Sequence, residues 1–357
     1  MPVAGSPDAG GTATARTLQR GGAQAYTEYR GAAELRDLVA ERLAVFTGRP
    51  VSGADGLIVT PGTQGALFLA VASTVTSGDR VAIVRPDYLA NRKIVEFLGA
   101  TVVPVRLDHL GHADRAGLDL GQLEEAFASG VRTFLFSNPN NPSGVVYSPA
   151  EIAGIAALAT RYGATVIVDQ LYSRLVYPGQ TYTHLRAASI PGAQVVTIMG
   201  PSKTESLSGY RLGVAFGPAH LVDRMEKLQA IVSLRAPGYS QAVLRTWFAE
   251  PPGWLEDRTA RHQAIRDDLM ACFRAVPGMA VRMPEAGSYL FPRLPPIAVP
   301  LHDFVRALRV QAGVIVTPGT EFSPDATDGI GLNFSQNHAA AVQAVQRIIQ
   351  LLDRYRR

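Results

Sequence analysis

Apolar and polar positions alternate at helical spacing over residues 33–46, which predicts an amphipathic helix. Thr60-Pro-Gly-Thr-Gln-Gly65 then opens a second helix that continues through Ala66–Ala72. From there the period changes. The short apolar runs Arg80–Arg85, Thr101–Arg106, Thr133–Ser137, Thr165–Asp169 and Val195–Met199 read as strands. Helices at about 88–98, 148–162 and 219–232 fall between them. Near-continuously apolar strands alternating with helices imply an α/β fold, with a mostly parallel central sheet covered on both faces. After Pro252 the pattern shifts again, to a long helix at about 254–274, β-like segments near 279–294 and 313–317, and helices at about 301–312 and 337–354. That is a second, smaller α+β unit.

Composition narrows the class without naming the chemistry. A chain of 357 residues, 47% apolar and 18% charged, is long enough for two lobes and suits a soluble globular enzyme. The net charge of +4 is modest, and no basic run is dense enough to suggest a nucleic-acid partner; Arg354-Tyr-Arg-Arg357 reads as a solvated helix end. The single cysteine, Cys272, excludes an intrachain disulfide and fits a reducing, cytoplasmic setting, with a core-packing place on its helix. Met1–Asp8 lacks a basic stretch followed by an apolar one, and no run approaches the ~18 apolar residues of a membrane span. No metal site and no membrane association are expected.

Only three of the 34 basic residues are lysines: Lys93, Lys203 and Lys227. Lys203 lies in a Ser/Gly-rich loop, and a primary amine, unlike a guanidinium, can form a Schiff base with an aldehyde. Four features sit at or just past the C-terminal ends of successive predicted strands, where open α/β sheets place their ligands. They are Ser137-Asn-Pro-Asn-Asn-Pro-Ser-Gly144, Asp169 with Tyr172, Lys203, and Arg211 eight residues later. Alone each is ambiguous, since Asn/Pro/Gly clusters are usually turns and a strand-end aspartate is often a helix cap. Their order makes them specific.

On Asn138-Pro-Asn-Asn-Pro-Ser-Gly144, Asp169-Gln-Leu-Tyr172 and Ser202-Lys-Thr with Gly209-Tyr-Arg-Leu-Gly213, the chain resembles the class I/II, fold type I, pyridoxal-phosphate aminotransferases from about Gly5 to the C-terminus. The resemblance implies an N-terminal arm or lid (1–30), a large cofactor-binding α/β domain (31–240) and a small C-terminal α+β domain (241–357). It implies pyridoxal 5′-phosphate as cofactor, with Lys203, Asp169 and Tyr172 catalytic. Lys203 would hold the cofactor aldehyde and move protons at the substrate Cα. Asp169 would keep the pyridine nitrogen protonated, Asn141 and Tyr172 would bond the phenolic oxygen, and Tyr88 would stack on the ring. Arg211, Ser202 and the backbone N–H groups of Thr63 and Gln64 at a helix N-terminus would take the phosphate. Tyr26 matches a tyrosine that reaches the neighbouring subunit's phosphate, which implies a homodimer with shared active sites.

Three departures complicate the match. Gly331, in Gly329-Ile-Gly-Leu-Asn-Phe-Ser335, stands where the family carries the arginine that grips the substrate carboxylate. That arginine also selects which Cα bond stands perpendicular to the cofactor ring. Without it, the backbone N–H of Gly5 and the side chain of Asn333 are the family-matched substrate contacts, and Arg235 is a candidate from a partner subunit. Gly200 replaces a Ser or Thr that often binds phosphate, and Gln170 replaces an acidic neighbour of Asp169. The expected function is therefore an aminotransferase-like enzyme acting on an unusual amino acid or amine, as in specialised natural-product metabolism. The alternative on the same fold is a lyase or decarboxylating deaminase. No Gly-x-Gly-x-x-Gly follows the first strand, which argues against a nicotinamide enzyme.

Overall fold

The computed structural model describes Gly11, Ala15, Arg16, Gln19 and residues 26–191 and 194–356. Its elements run α1 (Ala33–Thr47), β1 (Leu57–Pro61), α2 (Gly62–Thr74), β2 (Arg80–Arg85), α3 (Leu89–Phe97) and β3 (Thr101–Arg106). Next come α4 (Leu120–Ala128), β4 (Thr133–Ser137), α5 (Pro149–Tyr162), β5 (Thr165–Asp169), β6 (Gln194–Met199), β7 (Leu212–Phe216) and α6 (Ala219–Val232). Beyond these lie α7 (Trp254–Arg274), β8 (Tyr289–Leu290), α8 (Leu301–Ala307), β9 (Thr317–Pro318), β10 (Ile330–Asn333) and α9 (His338–Tyr355).

The large sheet has seven strands in the order β1-β7-β6-β5-β4-β2-β3. Pairings from β6 through β3 are parallel, whereas β7 runs antiparallel to both β6 and β1. The period-2 alternation of the strands sorts their side chains to two faces. Phe134, Phe136, Val166 and Val168 pack with α4 and α5 on one side, and Leu135, Ile167 and Ile198 pack with α2, α3 and α6 on the other. This is the mostly parallel α/β sheet the patterning predicts.

A three-stranded antiparallel sheet, β8-β10-β9, packs with α7 and α9 around a separate core that includes Phe273, Phe304 and Phe334. Among the described residues, no helix is long and apolar enough to cross a membrane.

Four elements were not foreseen: β1, β7, β10 and α4. Strand β7 reads Leu-Gly-Val-Ala-Phe directly after a glycine-containing loop motif, so its periodicity is too short to stand out. The β-like stretch 279–294 contributes only Tyr289–Leu290 as regular strand, plus an isolated bridge between Ala280 and Arg293. The predicted helix at 301–312 is α-helical to Ala307 and then widens into a π turn that Gly313 ends at a φ of 63°.

One buried carboxylate ties the loop before α4 to the start of α5. Glu151 completes a capping box with Ser148 and accepts the N–H groups of Ala116 (3.1 Å), Gly117 (2.8 Å) and Leu118 (2.9 Å). Burial pushes its pKa up, but hydrogen bonds from Ser148, Leu118 and Gly117 outweigh it, and the net shift is downward from 4.5. Glu151→Ala is expected to lose about 3 kcal/mol in urea unfolding, because buried donors are left without an acceptor. A folded-state pKa below the unfolded one means this stabilisation is complete above the unfolded pKa and lost as pH falls through the folded one. The gap between wild type and variant should therefore narrow in acid, and a constant gap would exclude this role.

Candidate active site

Strands β4, β5 and β6 end side by side: Ser137 lies beside Asp169, and Asp169 beside Ile198. Because β7 runs the opposite way, its first residue, Leu212, lies at that same edge and pairs with Pro61 at the end of β1. The loops after β4, β5 and β6, the residues before β7 and the first turn of α2 therefore all open on one edge. A cavity of about 180 Å3 forms there. Thr63, Gln64, Tyr88, Asn141, Asp169, Tyr172, Ser202, Lys203 and Arg211 line it.

The turn from β1 into α2 is unusually close to its neighbours. A Cβ on Gly213 would come within 2.4 Å of the Thr63 nitrogen, and one on Gly62, whose φ is +76°, within 2.3 Å of Arg211 Nη2. Only glycine allows this approach. The N-terminus of α2 has no side-chain cap, so its first N–H groups stay open to the cavity beside the exposed Arg211 guanidinium. Arg211 itself donates to Ser208 O at 3.2 Å. Gly200 has a packing reason as well: a Cβ there would lie 2.8 Å from Thr63 Cγ2.

Charge and polarity in the cavity are incompletely matched. Asp169 is buried, with Leu171 N donating to its Oδ1 at 3.0 Å. Burial pushes its pKa up to about 6, against the Leu171 hydrogen bond and the Lys203 charge, both of which lower it. Asn141 Oδ1, Tyr172 Oη and Ser202 Oγ are buried without a hydrogen-bond partner. Burial likewise holds the Tyr172 phenol well above its ordinary value. Tyr88 Oη donates to Gln64 Oε1 at 3.0 Å. Orphaned groups of this kind suit a polar ligand with a cationic nitrogen, an oxygen acceptor and an anionic group.

The structure adds side chains that sequence reasoning missed. Tyr289, from the two-residue β8, lines the cavity and meets the Tyr172 ring edge-on at 5.4 Å. Nothing local marks it, because only its pairing with Asn333 in β10 brings it there. Asp87, between Pro86 and Tyr88, was likewise not singled out in the sequence. Buried, it accepts Ser137 N at 2.9 Å and the Ser137 hydroxyl, joining the ends of β2 and β4. Burial pushes its pKa to about 8 against these donors. Gln170 is fully buried and its Oε1 lies 2.9 Å from His184 Nδ1, so this departure from an acidic residue anchors the 170–184 loop.

The remaining expected site residues lie elsewhere. Gly5 is outside the described residues. Tyr26 is 78% exposed and does not reach the cavity of its own chain; the Arg235 guanidinium sits over its ring at 4.9 Å and over Tyr29 at 5.2 Å. Arg235 also donates to Thr27 O. Asn333 is exposed, does not line the cavity, and accepts Ser335 N at 2.8 Å with its side chain. The space beside Gly331 is filled. A Cβ there would lie 2.6 Å from Phe322 Cε2, so a substituted side chain, arginine included, has no room at this position as packed. Among the described residues no group of acidic, histidine or cysteine side chains gathers to hold a metal ion.

The chain matches the family of class I and II aminotransferases over residues 5–345. It is 28% identical over 328 residues to an arginine–pyruvate transaminase of Pseudomonas aeruginosa, covering 90% of this chain and 81% of that protein. An aspartate aminotransferase of Sulfolobus acidocaldarius is 27% identical over 342 residues, 94% of this chain and 84% of that protein. Among solved structures, an aspartate aminotransferase from Rhodobacter sphaeroides 2.4.1 is 65% identical with a TM-score of 0.96, over 98% of this chain and 89% of that one.

Because Phe322 fills the slot at Gly331, Gly331→Ala is expected to cost about 1–3 kcal/mol in thermal unfolding. Combined with Phe322→Ala, the loss should be smaller than the sum of the two single losses. Strict additivity would show that the ring does not hold this space.

Proposed function

The chain belongs to the class I and II aminotransferase family, and from that premise we propose that its cavity binds pyridoxal 5′-phosphate at Lys203 and transfers an amino group between an amino donor and a 2-oxo acid. The observation that carries this reading is the convergence of Lys203, Asp169 and Arg211 on one cavity that also holds orphaned polar atoms of Asn141, Tyr172 and Ser202. When bound, the cofactor supplies an aldehyde for the amine and a conjugated ring that accepts electrons released at the substrate Cα.

The residues then divide the work. Lys203 would hold the cofactor through its amine and would take and return the proton at the substrate Cα. Asp169 would give the ring nitrogen a buried carboxylate partner, and a protonated nitrogen would add to the Lys203 charge that already favours the ionised carboxylate. The Asn141 amide N–H and the Tyr172 hydroxyl would donate to the ring oxygen, and Tyr88 would cover the ring face. Arg211, Ser202 and the open N–H groups of α2 would hold the phosphate.

On the substrate side, Tyr88, Pro139, Leu171 and Tyr289 line the cavity, and its only cations among the described residues are Lys203 and Arg211. With Phe322 packed against Gly331, this supports an amino donor recognised through apolar and neutral hydrogen-bonding contacts rather than through a cation at position 331. The lyase alternative gains no support, since the relatives described above are transaminases.

The exposed Tyr26, Tyr29, Ile231, Val232 and Leu234 form an apolar surface around Arg235 that suits a second copy of the chain. Across such an interface Tyr26 and Arg235 would complete the partner's phosphate site.

Lys203→Ala is expected to abolish turnover, and Asp169→Asn to keep cofactor while losing more than tenfold in kcat, over ~1.4 kcal/mol of barrier. Transamination is tested by mixing holoenzyme with candidate amines and α-amino acids, then following the cofactor spectrum and the oxo product. Aspartate, alanine and glutamate are expected to bind with Kd in roughly the millimolar range. Micromolar saturation by aspartate would overturn the substrate reading and leave transamination standing. Light scattering should give a dimer, and a fully active monomer would exclude shared sites.

A further inference from the structure

Behind the cavity lies a buried charge cluster that none of the roles above uses. Arg174, two residues past Tyr172, donates from Nη1 to Glu205 Oε1, two residues past Lys203. The same guanidinium makes a bidentate pair with Glu250, at 3.0 Å from Nη1 and 2.9 Å from Nη2. The three side chains are only 7%, 4% and 9% exposed, and the Phe248 ring lies 4.0 Å from the guanidinium carbon. A second arginine reaches the loop from α7: Arg258 Nη2 donates to Lys203 O at 3.3 Å and to Ser206 Oγ. Ser206 holds a φ of +55°, a left-handed conformation that non-glycine residues seldom adopt, so the lysine loop is held in a shape it would not favour alone.

The connectivity gives these contacts a direction. Asp169 and Tyr172 lie on and just after β5, and Lys203 lies after the adjacent β6. The only hydrogen bond recorded between the side chains of these two loops among the described residues is Arg174 to Glu205. We infer that Glu205 is a positioning residue: through Arg174 it locks the Lys203 loop to the Asp169–Tyr172 loop and so sets the amine against the groups it works with. Glu250 serves the same arginine from outside both loops and holds Arg174 in place without touching the lysine loop. Burial pushes Glu205 up to about 7, partly countered by Arg174.

The inference rests on the reading of Lys203 as the reacting amine, and the experiment separates the two. In holoenzyme, Glu205→Gln and Glu250→Gln are compared, since each removes one carboxylate from Arg174. Glu205→Gln is expected to lower kcat on the order of ten- to a hundredfold with KM little changed, because misplacing a reacting group costs rate rather than binding. It should also shift the pH midpoint of the bound cofactor's absorbance. Glu250→Gln should lower the melting temperature while leaving kcat and the midpoint near wild type. Equal effects of the two variants on kcat and midpoint, or no effect of either, would overturn the inference while leaving Lys203's role intact. Full turnover in Lys203→Ala would overturn the reading beneath it. Should Glu205→Gln fold poorly, Glu205→Asp read by the same midpoint decides, since a shortened carboxylate must also move it.

Discussion

Gly213 lies so close to the turn between β1 and α2 that no side chain could be tolerated there. The rest of the site depends on that contact. It lets the antiparallel β7 lie flush beside β1 and bring Arg211 to the edge where α2 begins. Gly200 repeats the constraint against Thr63, and Gly62 is required by its φ of +76°. Backbone closeness at these points gathers a guanidinium and a helix N-terminus around one small volume, the arrangement a phosphate needs.

The second organising principle is the handling of buried charge. Asp169 and Asp87 both sit at the ends of interior strands with raised pKa values, but they are served differently. Asp87 is satisfied within the protein by Ser137 and Tyr88, which makes it a brace between β2 and β4. Asp169 receives one backbone donor and faces the cavity, which leaves it to be completed by what binds there. Burial alone would make both carboxylates costly; partners decide which is structural and which stays available for chemistry. The Arg174, Glu205 and Glu250 group extends the same logic one layer deeper, where charges are buried as pairs and hold loops rather than ligands.

Similarity to aspartate and arginine–pyruvate transaminases establishes the family, yet the substrate side has its own character. Phe322 stands against the backbone of Gly331, and Tyr289 adds a second aromatic wall next to Tyr172. Of these two rings, Tyr289 lines the cavity and Phe322 packs outside its lining.

Much of this was legible along the chain. Strands β2, β4, β5 and β6 follow from apolar runs, because a strand buried on both faces must be apolar throughout. The edge strand β3 is legible from its valines although it is largely uncovered. Nine residues that line the cavity could be named from short, ordered motifs at strand ends together with the family resemblance those motifs carry. Tertiary structure decided what local pattern cannot encode. Strand β7 became visible only through its pairing with β1 and β6, and Tyr289 only through its pairing with Asn333. The occupant of the space at Gly331 is Phe322, nine residues away, and the partner of Glu205 is Arg174, 31 residues away. Propensity and motif spacing act over a few residues. Which side chain fills a vacancy or neutralises a buried charge is settled by packing between segments far apart in sequence, and only the folded chain brings them into contact.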